Sequence, residues 1–156
     1  MKAKEIMQKL FEWTPTDRAC GSDRLIFGYE NKEISRAAVY EIKTDIEEKL
    51  GLRNVRVVGD KNNVCKTVSM PVGAYLPESI IAELNCPSVD MVITGEITEY
   101  SVCEYVRDVA ASGEKKTLLL LGHMGSEKSG MEYICEYLQD TVNDVEFRYI
   151  ECKEVY

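Results

Sequence analysis

The sequence predicts an α/β fold, a mostly parallel sheet with helices on both faces, from three observations. Two short apolar runs, at 89–94 and 117–121, are bounded by turn residues and read as strands buried on both sides. Helical patterns separate the strands from Pro77 onward, so the order there is α-β-α-β-α-β, which implies right-handed crossovers between parallel strands. The helical segments are amphipathic: Met131, Ile134, Cys135 and Leu138 fall at i, i+3, i+4 and i+7, and Val102, Val106 and Val109 repeat similarly, with Cys103 and Ala110 alongside.

In chain order, residues 5–12 form a helical pattern with Ile6, Leu10 and Trp13 on its apolar side, stopped by Thr14-Pro15. Residues 17–28 have no periodicity beyond Leu25-Ile26-Phe27. A strand is expected over 34–42. A helix follows over 44–50, with Thr44 as its cap and Gly51 as its stop. Residues 54–58 and 64–72 read as two more strands. Gly59-Asp60 and Asn62-Asn63 are turn chemistry, which makes these two a hairpin or close neighbours. Pro77 suits the first position of a helix carrying Ile80, Ile81 and Leu84 on one face. A strand at 89–94, a helix at 98–111, a strand at 117–121, a helix at 126–139 with Ser126 as N-cap, and a closing strand at 145–150 complete the reading. No repeat or internal boundary divides the 156 residues, so a single domain is expected.

Composition narrows the function. Hydrophobic residues make up 45% and charged residues 29%, the balance of an ordinary globular protein. The net charge of −8, with Arg53, Arg56 and Lys61 spread out rather than striped, argues against nucleic acid. No apolar run approaches the roughly 20 residues of a membrane span, and charges interrupt the first ten residues as they would not in a secretory signal. The six cysteines, at 20, 65, 86, 103, 135 and 152, include no CxxC pair, so reduced thiols and a cytoplasmic location are expected.

The chemistry-bearing residues gather after two strands. The first strand ends in Gly95-Glu96, and Glu99 and Tyr100 open the next helix. The second ends in Gly122-His123, followed by Ser126-Glu127. Parallel crossovers put both carboxyl ends on one rim, where ligands bind in open α/β sheets. One imidazole with up to three carboxylates suits a divalent cation such as Zn, Mn, Fe or Mg. The glycines allow close approach. A structural reading stands beside this one: a lone His after a strand also serves as a turn residue, and Glu127 is explained by the helix dipole. A Ser or Cys nucleophile is not indicated, since no GxSxG elbow or Cys–His signature occurs. Gly73-Ala74-Tyr75 either approaches a ligand or simply turns the chain.

These residues carry a resemblance. Ile93-Thr94-Gly95-Glu96, with Gly122-His123-Met124-Gly125-Ser126-Glu127 and Gly130-Met131 behind it, resembles the C-terminal half of the Nif-three-like family, also called type-two GTP cyclohydrolase homologues. Lys49-Leu50-Gly51-Leu52 with Val55-Arg56-Val57-Val58-Gly59-Asp60 is similar to the start of that half. Phe11-Glu12-Trp13-Thr14-Pro15 and Ala37-Ala38-Val39 are similar to the family's N-terminus. The resemblance implies the C-terminal half of that α/β fold with an added N-terminal helix and strand. It also implies a ring-like homo-oligomer and a dinuclear metal centre to which His123 and Glu127 would contribute, with Glu96 beside them. Family members are longer, and their first half supplies a His-His pair and an Asp. This chain has one histidine, so a reduced metal site is expected, lined by Glu99, Tyr100, Gly95, Gly122 and Ser126. It would be hydrolase-like toward a small phosphorylated or nucleotide-like ligand. The alternatives are a metal-free, non-catalytic homo-oligomeric binding module, or an unrelated small α/β regulatory domain.

Overall fold

The structure is a computed structural model that describes residues 14–16, 26–28 and 37–152. The helix expected over 5–12 lies outside the described residues. The described elements in chain order are β1 (Thr14–Thr16), β2 (Ile26–Gly28), β3 (Ala37–Ala38), α1 (Val39–Leu50), β4 (Arg56–Val58), β5 (Val64–Cys65), β6 (Thr67–Ser69), α2 (Pro77–Asn85), β7 (Met91–Thr94), α3 (Glu99–Ala111), β8 (Thr117–Leu120) and α4 (His123–Thr141).

The two apolar runs are the middle of a six-stranded sheet ordered β1-β2-β6-β7-β8-β4. Strands β6, β7 and β8 pair in parallel, with Met91 opposite Thr117 and Thr94 opposite Leu120. The flanking pairs β1–β2, β2–β6 and β4–β8 run antiparallel. The α/β class therefore holds, and the parallel part of the sheet is the part that carries the rim. Alternation along each strand divides the core in two. Met91, Ile93, Leu119 and Leu121 face α1, which contributes Val39, Ile42 and Ile46. Val92, Leu118 and Leu120 face α2 and α3, which contribute Ile80, Leu84, Val102 and Val106. Every residue of β7 and β8 is buried, so each large apolar side chain there contributes on the order of 1.5–3 kcal/mol.

Several expectations change. Residues 39–42 belong to α1 rather than to a strand, because Val39, Ile42 and Ile46 follow helical spacing and all reach the core. The Glu41 carboxylate accepts the Ala38 N–H at 3.0 Å, and Gly51 at φ 67° ends the helix. The segments around 56 and 67 are not a hairpin: β4 pairs with β8 and β6 with β7, so β7 and β8 lie between them, and the turn residues reverse the chain without pairing its arms. No strand forms over 145–150, because β4 already occupies the position beside β8. That segment instead runs back along α4. The Gln139 side chain donates to the Val145 carbonyl and accepts the Phe147 N–H, and Lys128 pairs with Glu151 at 2.5 Å. Cys65, Cys103, Cys135 and Cys152 are free thiols, whereas Cys86 is disulfide-bonded, which corrects the expectation of reduced thiols at that position. Among the described residues, no helix is long and apolar enough to cross a membrane.

Candidate functional site

Three loops meet where β6, β7 and β8 end. After β6 the chain passes through Gly73 and Ala74, which bridges in parallel to Glu96, and the Glu96 N–H donates to the Gly73 carbonyl at 2.9 Å. Thr94 anchors the same loop from beneath: its buried hydroxyl donates to the Pro71 carbonyl at 2.7 Å. After β8 the chain turns through Gly122, at φ 79°, directly into α4. Helix α4 therefore begins at His123, earlier than the expected start at Ser126, and Gly122 rather than Ser126 is its N-cap. Ser126 instead ties loops together: its hydroxyl donates to the His123 carbonyl at 2.8 Å and accepts the Gly73 N–H at 2.9 Å.

Gly95 is required by this crowding. A Cβ there would stand 2.6 Å from the Gly73 carbonyl oxygen and 3.1 Å from that of Gly122, both backbone atoms that cannot swing aside. Gly73 has φ 78°, and a Cβ on it would strike the Glu127 carboxylate.

The early start of α4 puts His123 and Glu127 one turn apart on one side of the helix. The imidazole stands between two carboxylates: Nδ1 lies 2.9 Å from Glu96 Oε2, and Nε2 lies 3.3 Å from Glu127 Oε2. All three side chains reach solvent. The hydrogen bond to Glu96 is the largest influence raising the imidazole pKa above its ordinary value, and the nearby Glu127 charge adds to it.

The structure thus brings together His123, Glu96 and Glu127, with Gly95, Gly122 and Ser126 at the joints. Glu99 and Tyr100 are placed elsewhere. Glu99 pairs with Arg56 of β4 at 2.5 Å, and both line an open groove of about 440 Å³ with Tyr100, Cys103 and Glu104. The role of Gly73 as a third loop at the site was only half visible in the sequence. The Arg56–Glu99 pair, 43 residues apart, left no local signal.

A divalent cation commonly takes four to eight donors. Among the described residues, no set of three or more His, Cys, Asp or Glu side chains is arranged to hold an ion. The reason is geometric: Glu96 and Glu127 sit at opposite edges of the ring, so one ion at either nitrogen meets only one of them. Glu96 stands where carboxylates that orient a metal-bound imidazole stand, and Nε2 with Glu127 offers two donors side by side.

A family model described as Duf34/NIF3 (NGG1p interacting factor 3) matches residues 9–155. The chain belongs to the DUF34/NIF3 family. A curated relative from Clostridium perfringens, named GTP cyclohydrolase 1 type 2 homolog, is 27% identical over 139 residues, which is 88% of this chain and 48% of that protein. Solved structures agree on the fold. A structural-genomics protein of unknown function, ybgI, superposes with a TM-score of 0.71 at 19% identity, covering 97% of this chain and 56% of the other. A Bacillus cereus protein related to NIF3 gives 0.63 at 13% identity, covering 85% and 35%. A hypothetical protein of Staphylococcus aureus gives 0.51 at 20% identity, covering 81% and 36%. The chain spans about half the length of the Clostridium relative and of ybgI.

Proposed function

We propose that the rim site is a divalent-cation site in which His123 Nε2 and Glu127 are the ligands and Glu96 orients the ring, serving hydrolase-like chemistry on a small phosphorylated or nucleotide-like ligand. The observation that carries this reading is the placement of a carboxylate at each edge of the sequence's sole histidine. When the ring is neutral, its remaining proton belongs on Nδ1, where the contact to Glu96 is shorter. The Nε2 lone pair then faces outward beside Glu127.

A bound cation would lower the pKa of a coordinated water and supply a nucleophile at neutral pH. The chain's own contribution is electrostatic and positional. Glu96 and Glu127 repel an anionic ligand as they stand, and a cation between Nε2 and Glu127 reverses that sign. The N-cap Gly122 supplies no side-chain cap, and the positive end of the α4 dipole favours a phosphate nearby. The name of the Clostridium relative supports a nucleotide among the ligands to be tried.

Metal analysis of tag-free protein tests the reading. Zinc, manganese or iron bound to the wild type and lost in His123→Ala supports it. A metal-free protein whose stability is indifferent to divalent ions and to chelator overturns it. One observation favours the second reading, a non-catalytic homo-oligomeric module: Met131, Ile134 and Tyr137 of α4 are exposed.

A further inference from the structure

Strand β4 ends the described sheet, with β8 on one side only. Alternate residues of a strand turn their N–H and C=O groups to opposite sides, so β4 keeps at least one donor–acceptor set facing away from β8. Among the described residues, nothing outside the sheet bonds to the main chain of Arg56, Val57 or Val58. Helix α3 lies against this edge. The open groove between them has Val58, Cys103 and Leu120 as its apolar floor and Arg56, Glu99 and Glu104 at its margins.

The groove is negative. Its margins carry two carboxylates against one guanidinium, and Arg107, the partner of Glu104, lies outside the lining. The Cys103 thiol registers the balance. Burial first, and then the Glu99 charge, raise its pKa above the ordinary value; Arg56 opposes this and Glu104 adds to it.

We propose that this groove binds an extended, lysine-rich segment of a partner protein, which adds to β4 as a further strand and sets its basic side chains against Glu99 and Glu104. An edge strand beside a helix lets main-chain bonds supply affinity while the groove selects side chains. Every second side chain of an added strand faces α3. Lysine suits those positions, because its methylene stem can cover Val58 and Cys103 while its ammonium reaches the carboxylates. A second copy of this chain is a poorer occupant, since at a net charge of −8 it brings negative charge to a negative groove. The groove shares no lining residue with the His123 cluster, so the inference is independent of the cation reading.

The test titrates a blocked octapeptide alternating lysine with valine into the isotope-labelled protein in chelator, followed by NMR. The expected result is binding that weakens as salt rises, with amide shifts concentrated at residues 56–58 and 99–104. The same peptide N-methylated along one edge is expected to bind about tenfold more weakly or worse, because its bonds to β4 are lost. Glu99→Lys combined with Glu104→Lys, at two exposed positions, keeps the helical circular dichroism and lowers affinity about tenfold or more, while a valine–glutamate octapeptide gains affinity for this variant. Absence of binding, shifts that miss residues 56–58, or equal binding of the N-methylated peptide overturns the proposal. Lysine amide that competes as well as the peptide overturns it in favour of a small-amine pocket. A dimer in sedimentation that the peptide dissociates overturns it in favour of a second copy at the edge.

Discussion

At the scale of single residues, the proton on His123 links the structure to its chemistry. The imidazole pKa is raised from 6.5, first by the Glu96 hydrogen bond and then by the Glu127 charge. A raised folded-state pKa means that the ion pair stabilises the fold below the unfolded value, and that this contribution is lost as pH rises through the folded one. A cation needs the deprotonated ring, so its binding has the opposite dependence: it strengthens as pH rises through the folded pKa and fades below it. Calorimetric titrations at several pH values check the sign, and affinity that is flat across that window contradicts it. Glu96→Gln removes the largest upward influence. The sole histidine gives an isolated proton NMR titration, whose midpoint is expected to fall back toward 6.5 in this variant. Cation affinity is expected to drop about 10- to 100-fold with it, as for other groups that orient a metal-bound imidazole. Gly95→Ala places a methyl against the carbonyls of Gly73 and Gly122 and is expected to cost about 1–3 kcal/mol by urea denaturation. An unchanged midpoint would show that the three loops are not as close as described.

At the scale of elements, α4 is the least supported part of the described structure. Of its 19 residues only Gly125 is buried, and its ties to the described body include Leu52 beneath Gly125, the Ser126 hydroxyl at Gly73 and the contact of His123 with Glu96. Amide hydrogen exchange in its C-terminal turns is expected to be much faster than in β7 or α1, whose apolar faces are fully covered. Comparable protection would mean that something covers α4 in solution. The exposed Arg56–Glu99 pair, by contrast, is expected to be worth under about 1 kcal/mol to stability. The sequence made the central strands legible because an unbroken apolar run such as 117–121 admits few other readings. It made α3 legible because Val102 and Val106 repeat at helical spacing and both end in the core. The stripe on α4 has the same spacing, yet Met131 and Ile134 remain exposed. Periodicity identifies an apolar face and does not say what covers it. The start of α1 is hidden in the sequence because Ala37 to Tyr40 combines small, β-branched and aromatic residues as a strand does. Val39, Ile42 and Ile46 were the signal that would have corrected it. The hairpin expected after Gly59 failed for another reason: turn residues report a reversal, while strand partners are chosen by burial far away in sequence.

At the scale of the whole molecule, the parallel centre of the sheet aims three loop ends at one rim, and two of them bring the acid–imidazole cluster together. That convergence was legible from strand order alone, since parallel strands share a carboxyl edge. The placement of Glu99 was not, because its partner Arg56 lies on the antiparallel edge strand β4, whose pairing no local pattern announced. The chain spans about half the length of its Clostridium relative in the DUF34/NIF3 family. The central claim is that Nε2 of His123 faces a cation while Nδ1 stays protonated toward Glu96. The most direct test is a nitrogen-resolved NMR titration of the labelled imidazole with Zn2+. The expected result is a metal-induced shift at Nε2, with Nδ1 retaining its proton, and loss of that shift in Glu127→Gln. A ring whose two nitrogens are unmoved by excess ion, or one that takes the metal on Nδ1, would contradict it.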